Sequence, residues 1–413
     1  IYRSSMFDVF AVKMIDPSIN ERGDRLDKLQ LLAILGLMIV GTAFVFSATA
    51  AHQAGLVPWY NQTWMRQIVW FIIGGGAATV ICLVDYHLLA RWSYVIYWLT
   101  ICCLVAVLIP HIGTTHWGAR RWIDLPFFQL QPSEFAKLSF ILALANFLSR
   151  PVEELKSVTI FWKGIGMMLL PFLLIMKEPD LGSALVLVPT GLAMMLVAGT
   201  PKRFLTKLVG GVSILVVLCL LDVLFAPRSL QIPLHEYQRQ RLLVYFGVDF
   251  ASSAATPQQK AEARQLQAKS SYQGKQALIS VGSGGITGKG WRNGDQARLG
   301  FLPAVAAHND FIFSVIAEEE GFVGSLVVLT LYAVVLFTGL RIAGQARDRL
   351  GKLVAAGVVT LIFSHVFVNI GMNIRIVPVT GIPLPLLSYG GSSVLSSLIA
   401  LGLMQNVHIH RRG

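Results

Sequence analysis

Apolar residues in this chain neither alternate nor mark one face of polar helices. They come in continuous runs of roughly 18–25 residues, long enough to cross a bilayer core as helices and separated by polar stretches rich in Arg, Lys, Pro and Gly. Only helices or closed barrels satisfy their backbone in lipid. Runs this continuous exclude the two-residue alternation of a barrel strand. The pattern predicts ten spans, over 29–50, 66–84, 92–110, 133–149, 160–176, 181–199, 203–226, 310–338, 352–373 and 384–407. The expected fold is an all-α integral membrane protein, one polytopic domain over 1–413. It has a polar segment over 1–28 and a large loop over 227–309 between spans seven and eight.

Composition agrees. Of 413 residues, 54% are hydrophobic and 14% charged, with mean hydropathy +0.63; a soluble chain carries roughly 25% charged residues. The net charge of +12 would suggest nucleic acid for a soluble protein. Here it points to topology and anionic membrane lipids, with no nucleic-acid partner. An even number of spans puts both termini on one side. Loops on that side hold 18 Lys and Arg against 6 in the short loops opposite, so both termini are expected in the cytoplasm. The 227–309 loop is then extracytoplasmic, and too long to obey the charge rule. The polar start is read as lacking a cleavable signal peptide. Cys82, Cys102, Cys103 and Cys219 lie inside apolar runs without metal spacing, and are expected reduced and buried. No internal repeat stands out, which argues against an inverted-repeat transporter.

A charge at mid-bilayer costs about 2.5–3.5 kcal/mol, so charges near spans ask for a reason. They gather at outer span ends: Arg120, Arg121, Asp124, Glu134 and Lys137; Lys177, Glu178 and Asp180; Asp310; and Arg375. Ser388 and Tyr389 follow in span ten, and the set can line one outward cavity. Each also has a plainer reading. Asp310 can be only an N-cap of the helix it opens. Glu134 and Lys137 can be a local i,i+3 ion pair. KEPD (177–180) makes a turn, with Asp180 capping the next span. Glu318, Glu319 and Glu320 point in different directions, and at least one is expected to pair with a neighbouring helix. SGGITGKGWRNG (283–294) fails the Walker pattern; it reads equally as a flexible loop or as backbone approaching a phosphate. Within the long loop, the polar stretch from Ala251 reads as mobile and partly helical.

Five blocks in order, GARRWIDLPFFQLQPSEFAKL, KEPDLGSALV, ISVGSGGITGKGW, HNDFIFSVIAEEEGFVG and GIPLPLLSYGGSS, resemble the SEDS family of bacterial cell-wall synthesis. Trp122 to Leu125 and GIPLP resemble its RodA branch; Glu178-Pro179-Asp180 resembles its FtsW branch, and the RodA branch is preferred. Two departures stand out. FLPAVAAHND has four residues between Pro303 and His308 where the family has two, with Asn309 in place of Thr, and Arg375 stands where a small or apolar residue is usual.

The resemblance implies an inverting peptidoglycan glycosyltransferase that polymerises lipid II, carried with the growing glycan on undecaprenyl diphosphate. It would act at the outer face of the bacterial inner membrane, for elongation and shape, beside a class B penicillin-binding protein. The family's essential aspartate falls on Asp310, expected as general base. Arg121, Lys137, Lys289 and Arg292 are candidates for the diphosphate, helped by a divalent cation such as Mg²⁺ whose site the sequence does not give. Trp122 is a candidate for packing on sugar or lipid; Glu134, Lys177, Asp180 and Ser388 complete the expected substrate surface. The rival readings are a lipid-linked precursor flippase or transporter and a scaffold that recruits the penicillin-binding protein.

Overall fold

The computed structural model of the chain describes residues 26–53, 57–110, 112–116, 119–124, 129–225, 236–248 and 257–412. Most of the N-terminal segment therefore lies outside the described residues. Helices occupy each expected run: α1 (Lys28–Gln53), α2 (Thr63–Leu83), α3 (Ser93–Leu108), α4 (Pro132–Leu148), α5 (Val158–Lys177), α6 (Leu181–Ala198) and α7 (Lys202–Phe225). Then come α8 (Glu236–Tyr245), α9 (Pro257–Ser283), α10 (Ile312–Gln345), α11 (Arg349–Asn373) and α12 (Gly391–Ile409). Among the described residues eight helices are long and apolar enough to cross a membrane. Of the other two, α3 is apolar with 16 residues, and α4 has 17 and carries Glu134 and Lys137. The chain is a multi-pass, essentially all-α membrane protein.

Successive spans run antiparallel, which returns the C-terminal residues to the end where the described chain starts. There the Asp27 amide donates to Gln405 Oε1 at 3.0 Å, and Arg341 donates to the Asp27 carboxylate. We refer to this as the terminal end and to the other as the opposite end. α11 and α12 are central, with 72% and 78% of their apolar stretches buried, whereas α7 is peripheral at 6%. Apolar residues on outer helices face away from the protein, so the expected burial of the cysteines does not hold. All four are free; Cys102 is exposed and the others are half-buried.

Helix is not the whole fold. At the opposite end β1 (Thr114–His116), β2 (Ala119–Asp124) and β3 (Gln129–Leu130) form a small antiparallel sheet in that order. Ser392 of α12 ties it down: its Oγ donates to the Gln129 carbonyl at 2.8 Å and accepts from the Gln131 amide at 3.1 Å.

The eighth expected span is longer than its pattern suggested, and broken. The backbone of α10 leaves the helix at Gly321 (φ 66°, ψ −157°). A break orphans helical amides and carbonyls, and the glycine-rich loop supplies them. Phe322 N donates to Gly285 O at 2.9 Å and Val323 N to Ile286 O at 3.1 Å. In return Lys289 N reaches Glu318 O at 3.0 Å and Gly290 N reaches Glu319 O at 2.8 Å. A Cβ at Gly288 (φ +77°) would stand 2.1 Å from Glu319 O. These glycines exist for close approach to a broken helix, so the loop is neither a phosphate cradle nor a loose connector. The polar stretch is helical from Pro257 onward, with 249–256 outside the described residues, and α9 packs on α10 through Ser280 Oγ to Ser314 O at 3.2 Å.

Candidate active site

Asp310 lies just before α10 at the opposite end, half-buried. It is not the cap of that helix. Phe311 occupies the N-cap position without a side-chain bond. The turn is held from two other elements. The His308 carbonyl accepts from Tyr389 N at 2.9 Å, and the Asn309 carbonyl from Ser388 Oγ at 2.5 Å. The Asp310 carbonyl accepts from Asn369 Nδ2 at 2.9 Å and Asn373 Nδ2 at 3.2 Å, both on α11. The Asp310 carboxylate lies against Gly381 (φ +75°), where a Cβ would stand 3.4 Å from Oδ2. Ser388 precedes α12 rather than lying within it; its Oγ also accepts from Leu384 N at 2.8 Å, and its carbonyl accepts from Gln67 Nε2 at 3.1 Å.

The other expected site residues fall into three groups. Arg121, on β2, donates through Nε to Glu178 O at 3.2 Å and through its fork to Pro179 O, and sits 4.0 Å from Asp180 Oδ1. Asp180 caps α6 by accepting from Ser183 N at 3.1 Å and also accepts from Gln131 Nε2 at 3.2 Å. Trp122 is half-buried on the same strand and Lys177 is exposed nearby in sequence. Burial pushes the Glu178 carboxyl up to about 9, Asp180 adding to the effect and Arg121 opposing it; among the described residues neither Glu178 oxygen has a hydrogen-bond partner.

Glu134 and Lys137 carried two expectations, a local ion pair and a place on the substrate surface. They are 2% and 1% exposed and face each other at 2.7 Å, as the pair reading has it. Lys137 Nζ also lies 3.0 Å from His365 Nε2 on α11, and Ser396 Oγ of α12 donates to Glu134 at 2.8 Å. Lys289 and Arg292, expected at the diphosphate, make contacts within the protein. Lys289 Nζ pairs with Glu318 at 2.6 Å and Asp295 at 3.1 Å, while the Arg292 guanidinium sits 5.3 Å from the Phe46 ring centre. Glu319 accepts from Ser47 Oγ of α1 at 2.5 Å and from Arg292 N at 3.0 Å. The deep acids thus serve the helix break and a neighbouring helix.

The pattern missed Asn369, Asn373 and His365. The signal available was an i,i+4 asparagine pair and one histidine inside an apolar run. It also missed where the open space is. An apolar groove of about 410 Å³ runs between α2, α3, α4 and α12, lined by Ile81, Leu99, Cys103, Phe135, Leu142 and Leu403. It reaches Leu130 and Pro132 at the start of α4, two residues before Glu134.

The chain is 33% identical over 389 residues to the peptidoglycan glycosyltransferase MrdB of Escherichia coli K12, covering 94% of each. It is 35% identical over 398 residues to the stage V sporulation protein E of Bacillus subtilis, covering 94% of this chain and 98% of that one. Among solved structures it matches the rod shape determining protein RodA of Thermus thermophilus with TM-score 0.63 and 26% identity, covering 94% of this chain and 98% of that one. It also matches a chain from a study of how a peptidoglycan synthase complex coordinates polymerization and crosslinking, with TM-score 0.72, 27% identity and coverage of 94% and 98%. The family model for cell cycle proteins of the FtsW, RodA and SpoVE type matches residues 27–413, and the chain belongs to that family.

Proposed function

We propose that the chain is a peptidoglycan glycosyltransferase that polymerises lipid II at the outer face of the bacterial inner membrane, with Asp310 as general base. The observation that carries the base is the Asp310 turn. Its carbonyls are tied to α11 and to the segment before α12. A carboxylate on so constrained a backbone can be presented at one place, as proton abstraction requires. Relatives named as peptidoglycan glycosyltransferases support the reaction class.

In the reaction a sugar hydroxyl of the acceptor gives its proton to the Asp310 carboxylate. The oxygen bonds the donor's anomeric carbon as the bond to the diphosphate breaks, inverting that carbon. Lys289 and Lys137 are each paired with a buried carboxylate, whereas Lys177 is exposed and Arg121 holds backbone carbonyls and has Asp180 only at 4.0 Å. Lys177 and Arg121 are therefore the better candidates for the leaving diphosphate. The apolar groove beside α4 suits the lipid tail. Among the described residues no three His, Cys, Asp or Glu side chains gather to hold a metal. A divalent ion such as Mg²⁺ would therefore arrive with the diphosphate, whose charge it would offset.

Both described chain ends share one end of the bundle, and the excess of Lys and Arg in the loops there favours a cytoplasmic location for that end. The likeness to a chain of a synthase complex supports a crosslinking partner, a class B penicillin-binding protein. The branch-specific residues favour a role in elongation.

Purified protein with lipid II in detergent tests the reading. Asp310→Asn is expected to fold normally and to lose about 10²–10⁴-fold in polymerisation rate. Wild-type glycan from that variant ends the base assignment. Glycan made in detergent, without two compartments, also separates an enzyme from a flippase, and activity of the isolated chain separates it from a scaffold.

A further inference from the structure

Three consecutive carbonyls, those of His308, Asn309 and Asp310, turn away from α10 and are taken by other elements. Of these holders, the α11 pair does something that the serine and the backbone amide do not. Asn369 spends its amide group on two carbonyls, Asp310 at 2.9 Å and Ile382 at 2.7 Å, so it joins the turn to the residue after Gly381. Asn373 works in both directions. Its Nδ2 donates to Asp310 O, and its Oδ1 accepts from Ser314 Oγ at 2.5 Å and from Ser314 N at 3.2 Å. Both side chains are fully buried.

Ser314 is the third residue of α10, and its amide is the one a helix-capping side chain ordinarily takes. Here Phe311 holds the cap position and offers none. Asp310, a carboxylate beside a helix start, is the local residue chemically suited to that amide. The amide's acceptors are instead the Phe311 carbonyl at 3.0 Å and Asn373 Oδ1, from another helix, at 3.2 Å.

We propose that Asn369 and Asn373 are the positioning residues of Asp310. Asn373 caps α10 from α11 in its place, and the two amide groups lock the Asp310–Phe311 peptide so that the carboxylate is presented over Gly381. A carbonyl with two donors fills both lone pairs, and turning that peptide would take an acceptor from each buried amide group, leaving Asn369 with Ile382 O and Asn373 with Asn369 O. Without Asn373 the Asp310 carbonyl keeps one donor, Asn369, and the Ser314 amide keeps only Phe311 O at 3.0 Å. The turn is then held less firmly, and the Asp310 carboxylate is drawn toward the positive end of the helix. It then stands away from the acceptor sugar.

The inference rests on Asp310 as base, and its test keeps the two apart. Polymerisation by the full chain in detergent is measured per folded molecule for wild type, Asn373→Ala, Asn373→Ser and Asn369→Ser. Asn373→Ala is expected to lower kcat roughly 10–100-fold with KM for lipid II within about threefold, the mark of misplacement. Asn373→Ser keeps a hydroxyl able to accept from Ser314 and should recover much of that loss. Adding Asn373→Ala to Asp310→Asn should leave lipid II binding unchanged. Wild-type kcat per folded molecule in Asn373→Ala, so that any loss of total activity reflects only less folded protein, or a loss that lies in KM overturns the proposal. If Asn373→Ala does not fold, the same split between kcat and KM in Asn369→Ser decides it. Should Asp310→Asn keep polymerising, the base reading falls; should it fail while the asparagine variants match wild type, only the positioning role falls.

Discussion

Two clusters in this molecule use nearly the same side chains and differ in where they stand. At the terminal end, outside the spans, His87 bridges Asp85 and Asp348, through Nδ1 at 2.8 Å and Nε2 at 3.0 Å. Between α4, α11 and α12, His365 meets the Lys137–Glu134 pair. The first histidine has a carboxylate at each ring nitrogen, so the geometry suits two donors and the charged imidazolium. The second faces an ammonium, which can only donate, so Nε2 accepts and the ring is neutral. The outer side chains are 33–53% exposed, the inner ion pair 1–3%. Neighbours set the protonation, but burial sets the energy at stake. Solvent substitutes for a lost partner in the first cluster and cannot in the second.

The largest effect should follow from breaking the inner pair. Lys137→Met leaves the Glu134 carboxylate buried with only Ser396 as a donor, a change worth about 3–5 kcal/mol. Thermal unfolding in detergent should show it, and adding Glu134→Gln should recover most of the loss. Exchanging the two residues should recover less, because the carboxylate would then face His365 Nε2, and the ammonium Ser396. Full recovery by the exchange would mean that the pair acts on itself alone.

Lys289 lies between the extremes, with its side chain 28% exposed and its partner Glu318 fully buried. Here Glu318 keeps other donors: Ser280 Oγ at 2.9 Å and the amides of Asp295 and Gln296 at 3.0 Å and 3.3 Å. Lys289→Met is therefore expected to cost about 1–3 kcal/mol, less than Lys137→Met. A loss as large as that of the inner pair would show that the backbone amides do not sustain the carboxylate.

These positions also show what the sequence could and could not reveal. The spans were legible because lipid demands unbroken apolar length. Asp180 was legible as a cap, and Glu134 with Lys137 as a pair, because both relations are local. Asp310 came from a resemblance; composition and spacing alone left it open as a cap. What stayed hidden was long-range. Nothing in SGGITGKG names Gly321 as its partner, since the fit depends on a helix break more than thirty residues away. Asn369 and Asn373 look like tolerated polar residues in a span until the Asp310 turn is placed beside them. A polar residue in an apolar run signals that a partner exists without saying which.

The smallest effect belongs to His87, and it carries a pH signature. Burial is the largest single influence and lowers its pKa, but the hydrogen bonds to Asp85 and Asp348 and the charges of both carboxylates together outweigh it and raise the pKa above the ordinary histidine value. A raised pKa means that the folded state binds the proton more tightly than the unfolded chain does. The stabilisation is therefore fully present below the unfolded value of about 6.5 and is lost as pH rises through the higher folded one. Asp348 keeps Tyr86 Oη at 2.7 Å and Gly351 N at 3.0 Å, so the α11 cap survives without His87. Exposure and salt reduce what remains, and His87→Gln should cost under about 1 kcal/mol. Melting temperatures of wild type and His87→Gln should differ most at pH 6 and below, and converge above the folded pKa. A difference that instead grows toward pH 9 would show that the neutral ring, packed on Tyr86 at 4.2 Å, supplies the stability rather than the charge.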